Sequence, residues 1–129
     1  INDTQLAATC LLLSVADADD ILEENEVNII QDILKDFFSL EQDMTKLLVD
    51  QASIKLVEST DIFQFGSHLN QHFSKSDKLD FICCIFEVAY ADGELHYLEH
   101  HTVKKIANIL NLDRKEIILA KKEIEEYLD

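Results

Sequence analysis

The chain has 129 residues, enough for one domain with a substantial core and too few for two. Eleven Lys and Arg face 26 Asp and Glu, and the resulting net charge of −15 repels phosphate backbones, which argues against a nucleic-acid-binding surface. With 47% apolar residues it is not disordered; with no proline and two glycines it lacks the positive-φ turns of sandwiches and barrels, so the fold class is all-α.

In chain order, Leu6, Cys10, Leu13 and Ala16 recur at helical steps on a first helix that is apolar nearly all round. Such coverage predicts a helix at the centre of a bundle. The run Leu6–Ala16, followed by Asp17 and Ala18, imitates a signal-peptide core, but no base precedes Lys35, so the positive flank of a leader is missing. The chain opens on Ile1, which leaves room for a preceding segment. A second helix carries Val27, Ile30, Ile33, Leu34 and Phe37; a third begins at Met44, Leu47 and Leu48; a fourth holds Ile62, Phe65, Leu69 and Phe73. The fifth, Leu79–Tyr90, places Ile82, Cys83, Phe86 and Ala89 on one stripe widened by Phe81, Ile85 and Val88, and Ser74 with Asp77 is spaced to cap it. A sixth carries Val103, Ile106, Ala107 and Leu110. Asp113 with Glu116 then caps a seventh, Arg114–Leu128, bearing Ile117, Ile118, Ile124 and Leu128. The expectation is one domain, 1–129, a compact bundle of about seven helices. No apolar stretch reaches 18 residues, so nothing is expected to span a bilayer. Cys10, Cys83 and Cys84 fit no disulfide or metal spacing, read as small core hydrophobes, and suggest a reducing, cytoplasmic setting.

An internal repeat is the most informative feature. Val15 to Leu22 aligns with Val88 to Leu95 at an offset of 73, and Glu26 then falls on Glu99, Ile30 on Val103, Ile33 on Ile106 and Phe37 on Leu110. After a slip of one residue Leu40 falls on Leu112. The pattern predicts a duplicated helix–loop–helix unit, copies about 5–40 and 78–112, related by approximate two-fold symmetry.

The acid is concentrated in the two elbows between paired helices. From Asp17 to Glu26 six of ten residues are acidic, including Asp19, Asp20 and Glu23; the second elbow holds Asp92, Glu94 and Glu99, with His96 among them. Clustered carboxylates raise one another's pKa unless a cation or hydrogen-bond donors compensate. Hard divalent ions take such oxygens, so Ca²⁺, Mg²⁺ or Mn²⁺ is the expected cofactor class. The spacing is not that of an EF-hand: counted from Asp17, the glycine position is Leu22 and the last ligand position Asn28. A structural alternative places Glu26 and Glu99 third in their helices, where each reaches back to an N-cap amide and complements the helix dipole. Glu23 and His96 are poor N-cap types, so the forward half of such a box is not expected. Gly93 is expected at positive φ.

The stretch Glu87-Val88-Ala89-Tyr90-Ala91-Asp92-Gly93-Glu94-Leu95, followed by Glu99, resembles the signature of the tellurite-resistance protein B (TerB-like) family. Ala107–Asp113 and Asp61–Phe73 resemble its neighbouring segments, so the likeness covers essentially the whole chain. It implies an all-helical fold of about seven helices with the same duplication. It also implies a proposed cation-binding module without catalysis, associated with stress or tellurite-resistance gene sets and sometimes with membrane complexes; a related domain occurs in a membrane-anchored J-domain co-chaperone. Carried over by position, the implied site residues are Asp92, Gly93, Glu94 and Glu99, with Asp19 and Glu26 in the first copy. That copy departs from the pattern, with Asp20 where Gly is usual and Ile21 where an acid is usual; Asp17, Asp20, Glu23 and His96 are the additional candidates.

Other constellations are weaker. His68 with His72, and His96 with His100, have the i, i+4 spacing of a shared Zn²⁺, but further ligands are missing and zinc is not expected. No phosphate loop or activated nucleophile is recognisable, so no catalytic residue is assigned and no enzymatic activity is expected. Residues 1–65 hold three bases against 14 acids, and 66–129 hold eight against 12, with Lys104, Lys105, Arg114, Lys115, Lys121 and Lys122 enriching the last third. That asymmetry suits head-to-tail docking or docking to a protein partner; peripheral association with a membrane complex is what the family resemblance implies, and a homodimer is the default expectation, not one the sequence encodes. The second functional expectation is accordingly an interaction adaptor whose elbow acids are helix caps.

Overall fold

A computed structural model describes residues 2–17, 23–91, 93 and 95–128. Among them are seven α-helices and no strand: α1 Asp3–Ala16, α2 Glu24–Phe38, α3 Gln42–Glu58, α4 Phe63–His72, α5 Lys75–Ala89, α6 Tyr97–Ile109 and α7 Arg114–Leu128. The all-α expectation and the number of helices hold.

The centre is α1, which packs against α2, α3, α4, α5 and α6. Its residues between Ala7 and Ala16 are buried apart from Ser14, as a helix apolar all round requires when neighbours surround it. Thr9 is tolerated there because its hydroxyl donates to the Gln5 carbonyl at 2.7 Å. On α5 the buried set is Phe81, Ile82, Ile85, Phe86, Val88 and Ala89. Cys83 and Cys84 depart from the expectation of core cysteines: Cys10 is buried, but both of these are only half-buried. Successive residues in a helix point about 100° apart, and Ile82, Ile85 and Phe86 already fill the inward arc. Leu47, Ile118 and Leu128, expected among the apolar residues of α3 and α7, also stand exposed.

Helix ends follow local chemistry. Asn2 accepts from the Thr4 amide at 2.7 Å to open α1. The Ser74–Asp77 box closes with bonds of 3.1 and 3.2 Å, and the Asp113–Glu116 box with 2.8 and 3.0 Å. Lys75 ties this last start to α5 through Glu116 at 2.9 Å. Gly66 lets α4 cross close to α6: a Cβ there would collide with the Ile109 side chain.

The duplication is visible in the backbone. Asp17 and Tyr90, 73 residues apart, are both C-caps, with amides donating to Leu13 and Phe86 at 2.9 Å. Ser39 and Asn111, 72 apart, are both left-handed, at φ 55° and 62°, and the following amides of Leu40 and Leu112 reach back to the Lys35 and Ala107 carbonyls. The one-residue slip therefore lies inside the second helix of the pair, α6 being one residue shorter than α2 between its buried glutamate and its left-handed end. The third helices also correspond, α3 packing on α1 as α7 packs on α5. One seam is not repeated: α2 packs along α3, whereas α6 and α7 are not joined in that way.

Candidate functional site

The elbows form where a core helix ends and its partner turns back. At the first, Asp17 closes α1 and Glu23 (φ −87°, ψ 154°) opens α2. At the second, Tyr90 closes α5 and His96 (φ −75°, ψ 155°) opens α6, so the entry geometry of the two copies is the same. Gly93 lies at φ 91°, as expected, with its amide donating to the Tyr90 carbonyl at 2.8 Å. Tyr90 in turn donates its hydroxyl to Glu125 of α7 at 3.0 Å.

Glu26 and Glu99 occupy the third position of their helices and are 7% and 3% exposed. Carboxylates are seldom buried so deeply without donors. Here the Glu23 amide donates to Glu26 Oε1 at 3.1 Å and the His96 amide to Glu99 Oε1 at 3.4 Å. Both helix starts have the capping-box arrangement, around N-cap residues of unusual type. Asp17, Glu23 and His96 lie exposed at the rim, while Asp19, Asp20, Asp92 and Glu94 lie outside the described residues. The two elbows touch: Asn25 Nδ2 donates to the Ala91 carbonyl across 3.4 Å. Reading the sequence missed this link, since an asparagine one residue into a helix carries no signal of a partner 66 residues away.

Among the described residues no group of three or more His, Cys, Asp or Glu is gathered as a metal would require. The donor chemistry of Glu26 and Glu99 nevertheless suits a hard cation, carboxylate oxygen being its preferred ligand. His68 is occupied otherwise, its Nε2 3.0 Å from the Thr4 hydroxyl and its ring 4.3 Å from that of His72. Cys83 and Cys84 are poor nucleophiles, because burial and then neighbouring carboxylates, Glu123 and Glu87 respectively, push both thiols up to about 12.

Comparison with protein families matches the model described as tellurite resistance protein TerB over residues 5–122. The chain belongs to the TerB family. The match runs from the first turn of α1 into α7 and includes both elbows. No curated protein and no solved structure matches this TerB chain. None of the described helices is long and apolar enough to cross a membrane.

Proposed function

We propose that this TerB-family chain is a non-catalytic helical module that binds a hard divalent cation, Ca²⁺, Mg²⁺ or Mn²⁺, through its acidic elbows. The observation that carries the reading is the pair of buried carboxylates, Glu26 and Glu99, placed alike in two copies whose elbows are in contact. Each accepts the backbone amide of its own N-cap residue, and the acids flanking it in sequence, Asp19 in one copy and Asp92 and Glu94 in the other, would contribute to an oxygen-donor set. The bound ion would tie the two helix–loop–helix units together. A part in a tellurite or other stress response, suggested by the family's description, belongs to the same proposal.

The test is a thermal-shift titration with each ion at millimolar concentration. An ion that binds only the folded state at a hundred times its Kd stabilises by about 2.7 kcal/mol, a shift of several degrees. Asp92→Asn combined with Glu99→Gln should abolish that rise. Calorimetry without any divalent-ion heat at millimolar concentration sinks the reading.

A second reading, an adaptor whose elbow acids are caps, is favoured by the return bonds from Glu23 and His96. Under it Glu26→Gln and Glu99→Gln, which keep an acceptor for those amides, leave stability nearly unchanged, and their effect is the same with and without ions.

A further inference from the structure

The enriched base of the last third is not spread evenly. Between α6 and α7 lies a furrow of about 560 Å³, with Ile117 and Ile118 along its apolar side and His100, Lys104, Arg114 and Lys121 around it. Ile118 is 42% exposed and shares the furrow with three cationic side chains. Lys104 and Arg114 make no ion pair among the described residues, although acids outnumber bases more than two to one in this chain. His100, Lys104 and Lys121 line the same furrow, so the two ammonium groups and the ring share one rim. The equivalent seam of the first half is closed, since α2 packs along α3.

We propose that this furrow docks an acidic segment of a partner protein, one apolar side chain seating against Ile117 and Ile118 while flanking carboxylates pair with Lys104, Arg114 and Lys121. Charge complementarity selects the occupant. A long polyanion or a flat anionic bilayer would also meet the remaining surface of a molecule with net charge −15, and a second copy would bring the same charge. A short acidic segment concentrates its charge on the basic rim, and an apolar side chain fills the concave part. A bare anion would leave the isoleucines unused. This surface is separate from the elbows, and its occupancy does not depend on a cation there.

The experiment uses an array of short labelled peptides with glutamate flanks and Leu, Ile, Phe, Tyr or Trp at the centre, against versions with neutral or lysine flanks. Binding is read by fluorescence anisotropy, with inorganic phosphate and phosphatidylglycerol vesicles as further probes. At least one acidic peptide should bind saturably and weaken as salt rises. Lys104→Glu with Lys121→Glu should weaken it at least tenfold, and Ile118→Ser several-fold, with unchanged helical content in each variant. The proposal is overturned if no acidic peptide binds, if Ile118→Ser binds like the wild type, or if phosphate or vesicles bind and the peptides do not.

Discussion

Gly66→Ala probes the crossing of α4 and α6. A methyl group at Gly66 would overlap Cγ2 of Ile109 while sitting 3.1 Å from its Cβ and 3.5 Å from its Cδ1. All three atoms belong to one β-branched side chain, whose χ1 in a helix has one strongly preferred rotamer, so Ile109 cannot rotate clear and α4 must move off α6. Overpacking of this kind costs about 1–3 kcal/mol, and an overlap this severe belongs in the upper half of that range. Alanine recovers about 1 kcal/mol over glycine in helix propensity. The net loss is about 1–2 kcal/mol, a fall in Tm of roughly 4–8 °C for a domain of this size. Urea unfolding followed by circular dichroism measures it, and the companion variant decides the cause. With Ile109→Ala the obstacle is gone, so Gly66→Ala made in that background should stabilise, by up to about 1 kcal/mol. An effect of the same sign and size in both backgrounds refutes the steric account.

Glu87, half-buried on α5, has its carboxyl held above the usual range by burial first and by Asp36 second. Its ionised form therefore destabilises the native state at neutral pH, and stability from this group rises as pH falls through the raised pKa, levelling off below the ordinary value. Glu87→Gln should raise Tm at pH 7 by about 1–3 °C, an advantage that shrinks as the pH is lowered to about 4; no rise at pH 7 contradicts the assignment. Cys83 and Cys84, with thiols near 12, should react with iodoacetamide at pH 8 at least a hundred-fold more slowly than free cysteine, and faster labelling by mass spectrometry would overturn this. Ser74→Ala removes the acceptor for the Asp77 amide and should cost about 1 kcal/mol in urea unfolding with the slope unchanged, whereas Ser74→Gly should cost only a few tenths.

The helices were legible because their signals are local. Ser74 with Asp77 and Asp113 with Glu116 announced two starts, and the stripe Val27, Ile30, Ile33, Leu34 announced the inward face of α2. Vicinal Cys83 and Cys84 misled because hydrophobic type does not say which residue of a wide apolar band wins the inward arc. At the elbows, spacing located Glu26 and Glu99 and allowed for both a ligand and a cap, while their burial needed the tertiary structure. The Asn25–Ala91 bond, the Gly66–Ile109 contact and the furrow beside Ile118 were not legible at all. Each depends on where two distant helices cross, and no periodicity within one helix encodes a crossing.

The shortened α6 has a geometric consequence for how twin halves part company. Removing one residue from an α-helix turns whatever follows by about 100° and draws it in by about 1.5 Å. A difference of one residue is thus enough to turn a trailing helix relative to its symmetric counterpart, leaving exposed on one side of the molecule what its sibling keeps sealed. Divergence of the two halves then requires no new core and no change of composition, only a missing step in the spiral.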